Sequence, residues 1–210
     1  MRLLPSGSTS LLVELDDLDE VLALYAALVD ERPDGVVDVV PAGRTVLLVT
    51  DPSATSLSAV EAAVRTTKPR RDRRQAGDLV EVPVTYDGED LDEVGSLLGC
   101  DAAEVVRRHT SQEWTVAFCG FAPGFGYMTS TSGEWDVPRR SSPRTKVPTG
   151  SVALAAEFSG VYPRESPGGW QLIGRTELAV FDLTRDPAAL LRPGNRVRFV
   201  DVGLSGGGSP

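Results

Sequence analysis

Residues 138–151, Pro-Arg-Arg-Ser-Ser-Pro-Arg-Thr-Lys-Val-Pro-Thr-Gly-Ser, constrain this chain more than any other stretch. Three arginines and a lysine stand among three prolines in fourteen residues. Proline fixes φ, lacks an N–H and biases the residue before it toward extended backbone. A regular helix is excluded, and so many prolines do not suit a central strand. The stretch reads as a stiff, extended loop that holds cations at set positions. Val152 and Leu154 follow at once, so the loop leads into a strand. A stiff cationic loop beside a strand suits an anion: a carboxylate, a phosphate or an acidic partner. The alternative is a solvated, well-ordered surface loop.

At 210 residues the chain can form one large domain or two small ones. With 41% hydrophobic and 24% charged residues it has enough apolar sequence for a core without covalent staples. The net charge of −9 argues against non-specific nucleic-acid binding. Cys100 and Cys119 form no CxxC and read as buried free thiols of a reducing cytosol. No apolar run reaches the roughly 18 residues of a membrane span, and Asp16 and Asp17 come early where a signal peptide would be apolar. The expected location is cytoplasmic, with no membrane contact.

Residues 3–15 read as strand, turn, strand. Asp17 and Glu20 resemble a capping box, and Val21, Leu24, Tyr25 and Leu28 continue at helical spacing, predicting a helix over 18–31. A hairpin around Pro41–Arg44 and a helix carrying Leu57, Val60 and Val64, with Ser58 near its start, complete a small α+β domain. The basic run 65–74 reads as a solvated linker, so the boundary falls near Gly77: domain 1–77, then 78–202, then a disordered Gly/Ser tail at 203–210. In the second domain a strand is expected at 80–86, with Pro83 marking an edge. Helices are expected around 91–98 and 101–110, and strands at 116–121, 152–156, 171–173, 178–183 and 197–201. Residues 187–191 read as one helical turn. Short strands among Gly/Pro turns point to a barrel or sandwich.

His109 is the only histidine and ends a predicted helix. It reads either as an acid–base group or as a structural residue tying the helix end to the barrel. One histidine and scattered cysteines give no metal-ligand spacing. The P-loop and GxSxG patterns are absent. A second informative stretch is Tyr162–Thr176. There Gly168-Gly169 could turn successive N–H groups toward an anion, Trp170 offers a flat wall, and Arg175 adds charge. With Phe121, Phe125 and Tyr127 these residues suit a small, flat, acidic molecule. The alternative is a barrel turn with a core tryptophan.

Together these stretches resemble the family of 5-oxoprolinase B-type subunits, also known as allophanate hydrolase subunit 1 or kinase A inhibitor, and related to a carboxyltransferase domain of urea carboxylase. The matching residues are 82–91, His109, Gly120–Phe125 with Tyr127, Pro138-Arg139, Pro143-Arg144, Val147-Pro148, Gly150–Val152, Tyr162-Pro163, Ser166–Trp170 and Ile173–Thr176. Gly126, where the family usually has proline, and Asn195, where it usually has aspartate, depart from the pattern. The resemblance implies a cyclophilin-like β-barrel behind the smaller α+β domain, and partners in the form of C-type and A-type oxoprolinase subunits. It implies ATP-dependent opening of 5-oxoproline to glutamate, with this chain supplying half of a composite site and inactive alone. On that reading Arg139, Arg144 and Lys146 bind the substrate carboxylate or ATP phosphates, and His109 polarises or protonates the lactam. It also implies two alternatives: inhibition of a sensor histidine kinase, or a role in a complex acting on a urea-type amide.

Overall fold

The computed structural model of the chain describes residues 1–70, 77–130, 132 and 135–203. Residues 71–76, which include the end of the basic run, parts of 131–134, and the Gly/Ser tail beyond 203 lie outside the described residues. The chain forms two compact units, Met1–Gln75 and Ala76–Pro210.

The first unit holds a four-stranded antiparallel sheet, in the order β1 (Arg2–Ser6), β2 (Ser10–Glu14), β4 (Thr45–Thr50), β3 (Val36–Pro41). Helix α1 (Leu18–Asp30) packs on β3 and β4, and α2 (Leu57–Thr66) on β2. Asp17 accepts the Glu20 N–H at 2.8 Å, and Glu20 reaches back to the Asp16 N–H. This near-reciprocal cap fixes where α1 begins. The cap of α2 is Ser56, which accepts from the Ala59 N–H, and Ser58 lies in the first turn as expected. The helix then runs into the first residues of the basic stretch, Arg65 and Thr66.

The second unit is mostly β. Its seven-stranded sheet runs β12 (Gln171–Arg175), β9 (Ser151–Ala155), β10 (Phe158–Val161), β7 (Gly126–Ser130), β6 (Trp114–Cys119), β13 (Arg196–Asp201), β5 (Leu79–Val84). Every pairing is antiparallel except β13 with β5. Just past β5, Thr85 exchanges two 2.9 Å backbone hydrogen bonds with Arg175 at the end of β12. That bridge brings the two edges together into a nearly closed, barrel-like sheet. Pro83 lies on β5, an end strand of the ladder. Helices α3 (Leu91–Leu97) and α4 (Ala102–Thr110) pack against β12 and β13. Asp101 caps α4 through the Glu104 N–H.

Several expectations need correction. The cationic stretch is not a loop throughout: Arg144–Val147 form β8, paired with β11 (Ser166–Gly168). Pro143 and Pro148 lie just outside β8 and so spare its ladder. Strands β7 and β10 were not expected, because Gly126, Gly160 and several serines and threonines blur their alternation. Residues 178–183 form no strand, and 187–191 form no helical turn. The two segments instead bond to each other: the Asp182 N–H donates to the Ala188 carbonyl and the Leu190 N–H to the Val180 carbonyl. Those groups are therefore not available to a ladder or a helix. Gly126 begins β7 opposite Cys119, so the departure from the family proline falls in a strand.

Strand β9 is buried along its whole length, and its residues sort by parity. Val152 and Leu154 join the core with Trp114, Val116, Ile173 and Phe199. Ala153 and Ala155 join a second cluster with Phe125, Tyr162, Trp170 and Leu172. The sheet thus packs apolar groups on both faces.

Candidate functional site

The two faces hold different chemistry. On the first, His109 is 0% exposed. Its Nδ1 lies 2.7 Å from the Tyr86 hydroxyl and its Nε2 2.9 Å from the Ser159 hydroxyl. The ring packs among Trp114, Trp135 and Phe199. Burial pushes its pKa down to about 3, so the imidazole is neutral across the physiological range. Tyr86 is held well above the usual phenol range by burial and then by the Asp201 charge. With both ring nitrogens engaged inside the core, His109 matches the structural alternative, tying α4 to β10.

The opposite face carries an aromatic cluster, which we term the bowl: Phe125, Tyr162 and Trp170 are buried at its floor and Phe121 is exposed at its edge. Phe125 stands edge-on to Trp170 (5.2 Å between centroids), Tyr162 (5.3 Å) and Phe121 (5.4 Å), and Tyr127 lies 5.4 Å from Trp170. Such edge-on sets are preferred aromatic geometries. Gly160 of β10 lies beneath them: a Cβ there would come within 2.8 Å of Phe125 and 3.0 Å of Trp170. Its neighbour Ser159 turns to His109. One strand therefore separates the histidine from the bowl, and the structure does not bring His109 together with the other predicted site residues.

The 120–125 loop shapes the rim. Ala122 donates its N–H to the Gly120 carbonyl, and Phe125 donates to the Ala122 carbonyl across Pro123-Gly124. Gly124 has φ 83°, the left-handed backbone that the third position of a Pro-Gly turn demands. Phe121 has φ 65° and is 57% exposed. A phenylalanine in that region costs about 1–3 kcal/mol, and here the strain presents a ring to solvent at the edge of the bowl.

The cations of the loop divide sharply. Arg144, 15% exposed at its side chain, reaches Asp90 at 2.8 Å and Glu89 at 3.0 Å. Arg140 reaches the same Asp90 oxygen at 2.5 Å, and its backbone N–H donates to the Gly169 carbonyl. The other Asp90 oxygen accepts the Leu172 N–H at 2.7 Å. Burial raises the Asp90 pKa, but the Arg144 and Leu172 hydrogen bonds and the two guanidinium charges outweigh it and hold the carboxyl below its usual range. Lys146 is exposed and paired with Glu165 at 2.8 Å. Arg139 has no ion pair among the described residues, and its guanidinium carbon stands 6.0 Å over the Trp170 ring. Burial pushes the Tyr127 and Tyr162 phenols up, while the Arg139 charge pulls both back.

The remaining predicted residues fall as follows. Gly168 pairs with Arg144 in the β8–β11 ladder, and Gly169 accepts from Arg140. Neither is among the glycines with positive φ, so they do not form the expected anion nest. Gly168 is needed for room, since a Cβ would lie 2.3 Å from the Tyr162 hydroxyl. Arg175 is paired with Asp87 and Glu177 at the sheet-closing bridge, and no described contact links it to the bowl. The structure therefore gathers Arg139, Phe121, Phe125, Tyr127 and Trp170, and adds Tyr162. Arg140, Arg144 and Asp90 support them from behind. Asp90 escaped the sequence reading, where an acid before an apolar helical run looks like an ordinary cap. Among the described residues no three His, Cys, Asp or Glu side chains group as a metal site, and none of the described helices is long and apolar enough to cross a membrane.

Comparison with known proteins agrees across most of the chain. The family described as carboxyltransferase domain, subdomain C and D, matches residues 1–191. The chain is 38% identical over 204 residues to the 5-oxoprolinase B-type subunit of Escherichia coli O157:H7, covering 92% of this chain and 93% of that one. It is 46% identical over 127 residues to the corresponding 5-oxoprolinase protein of Bacillus subtilis strain 168, covering 59% and 53%. Among solved structures, TTHA0988 superposes with a TM-score of 0.75 at 35% identity, over 96% of this chain and 40% of that longer one. The urea carboxylase of Kluyveromyces lactis shares the fold, with a TM-score of 0.74 at 18% identity, over 97% of this chain and 22% of that one. The chain belongs to the family of 5-oxoprolinase B-type subunits, within the carboxyltransferase-domain C and D proteins.

Proposed function

We propose that this chain is the B-type component of a cytoplasmic 5-oxoprolinase. In that assembly it forms a composite site with a C-type subunit, and with an A-type subunit it opens 5-oxo-L-proline to L-glutamate at the expense of ATP. The barrel-like second unit serves as a cyclophilin-like module, and the aromatic bowl with Arg139 is its share of the site. The observation that carries this reading is Arg139, without an ion pair among the described residues, standing over Trp170. A flat lactam ring can pack on the exposed Phe121 ring, and its single carboxylate needs one cation free to receive it. The Tyr127 phenol, neutral at physiological pH like any phenol, can donate to the lactam carbonyl. ATP would be held mainly by the partners, since the other loop cations are already paired.

The test is ADP release with ATP and 5-oxoproline, by the chain alone and mixed with C-type and A-type subunits. Coupled release only in the mixture, reduced at least tenfold by Arg139→Ala, is the expected result. A mixture that assembles yet releases no extra ADP with 5-oxoproline overturns the reading. The carboxyltransferase description of the family supports a second reading, a component acting on a urea-derived carboxylate; release driven by that substrate and not by 5-oxoproline would favour it.

A further inference from the structure

One buried carboxylate engages two of the three arginines of the cationic stretch. Asp90 is 2% exposed and stands at the N-cap position of α3, yet its side chain makes no capping hydrogen bond. An aspartate there normally accepts from the first turn, which is why the type is favoured. Here the carboxylate is turned away from the helix to Arg140, Arg144 and the Leu172 N–H. Arg140 Nε and Arg144 Nη1 are buried and make no hydrogen bond among the described residues. A fold that forgoes a cap to place one carboxylate between two guanidinia fixes where those guanidinia stand.

Arg140 and Arg144 together carry two positive charges, and Asp90 and Glu89 carry two negative ones. The four cancel, and Arg139 is left as the cation beside the bowl without a carboxylate partner among the described residues. Arg140, its neighbour in sequence, is pinned at both ends: the guanidinium by Asp90, the backbone N–H by Gly169. The Gln171 amide donates to the Pro138 carbonyl at 3.2 Å and ties down the residue before Arg139. We infer that Asp90 is a positioning residue, which by fixing Arg140 and Arg144 holds Arg139 over Trp170 to receive a small carboxylate. The inference rests on the reading of the bowl given above. Without Asp90, Arg140 and Arg144 would be uncompensated, would repel the Arg139 guanidinium from its place over Trp170 and would release the loop.

The experiment compares two probes, 5-oxoproline and the uncharged lactam 2-pyrrolidone, titrated by NMR into the full chain. The quantity read is the ratio of their affinities, which measures carboxylate recognition and is insensitive to a general loosening of the bowl. The wild-type chain prefers 5-oxoproline, and Arg139→Ala abolishes the preference. Asp90→Asn, nearly isosteric, lowers the ratio about tenfold while leaving 2-pyrrolidone binding unchanged. The double variant falls no further than Arg139→Ala alone. Should Asp90→Asn fail to fold, Arg140→Gln, at a side chain 28% exposed, removes one limb of the network and lowers the ratio in the same direction. A ratio lost in Arg139→Ala but kept in Asp90→Asn, or in Arg140→Gln where that variant decides, overturns the positioning role and leaves the site standing. A wild-type chain with no carboxylate preference, or one kept in Arg139→Ala, overturns the site itself.

Discussion

Two buried polar centres lie in the second unit, and they are built on opposite principles. Around His109 the hydrogen bonds are neutral and closed: both ring nitrogens are engaged, the ring is surrounded by aromatics, and the histidine is uncharged. Around Asp90 the partners are mostly charged, two guanidinia and one backbone N–H on a single carboxylate, and both arginines keep part of their side chains in solvent. A satisfied neutral network of the first kind rigidifies a core. A charged one adds little stability relative to apolar packing and is kept where position matters more. Residue type alone would assign these roles the other way round, with the lone histidine as the reactive group and the aspartate as a cap.

The largest effect belongs to the closed centre. His109→Ala opens a cavity and strands the Tyr86 and Ser159 hydroxyls, for an expected loss of about 3–5 kcal/mol in chemical denaturation. Its titration gives a sharper signature. The native pKa of about 3 lies below the ordinary 6.5, so the unfolded chain binds the extra proton between those values. Stability is then fully present above about pH 6.5 and falls by about 1.4 kcal/mol for each unit below it, until the native state also protonates near pH 3. His109→Gln, which cannot charge, removes that slope. A wild-type slope that persists in His109→Gln would show that the closed centre is not what acid attacks.

The charged centre is expected to lose less and in a different window. Asp90→Asn keeps an acceptor for the Leu172 N–H but leaves two guanidinia uncompensated, for a loss of about 2–3 kcal/mol. This falls below the usual cost of breaking a buried pair because Arg140 and Arg144 are 28% and 15% exposed. The Asp90 carboxyl is depressed below its ordinary 3.8, so its contribution is intact above that value and is lost as pH falls through the lower native pKa. Denaturation between pH 4 and pH 6 should therefore report on His109 and be indifferent to Asp90. If Asp90→Asn flattened the curve in that range, the two centres would not be the separable units described here.

How much of this could be read in advance follows from what each residue needs. The cations of 138–151 and the aromatics of 120–127 and 170 are legible by type, because few other roles gather such residues in a Pro- and Gly-rich setting. Which cation stays free is not legible, since the partners come from residues 89, 90 and 165, distant in sequence. Asp90 in particular carries every local mark of a cap, and only the fold shows the carboxylate turned away. The alternation of β10 is lost to Gly160, which is small because two rings lie over it. The β-rich run at 178–183 misleads for the opposite reason: its backbone groups are taken by 188–190, so local preference is overridden.

The smallest effect tests the open side alone. Phe121 holds a left-handed φ of 65° while exposing more than half its surface. Phe121→Gly removes the steric cost at that backbone but adds the entropy of a freer unfolded chain, leaving a net gain of about 1 kcal/mol. The melting midpoint should rise by a few degrees. The exposed ring is also the outer wall of the bowl, so lactam binding should weaken for 5-oxoproline and 2-pyrrolidone alike, with their ratio unchanged. On the proposed reading that separates the apolar wall from the cation: Arg139 and Asp90 would set the preference for a carboxylate, and Phe121 how well any flat ring is held. A variant that lost stability would mean the loop is not strained at Phe121. One that gained stability with full binding would mean that the strain serves something other than this bowl.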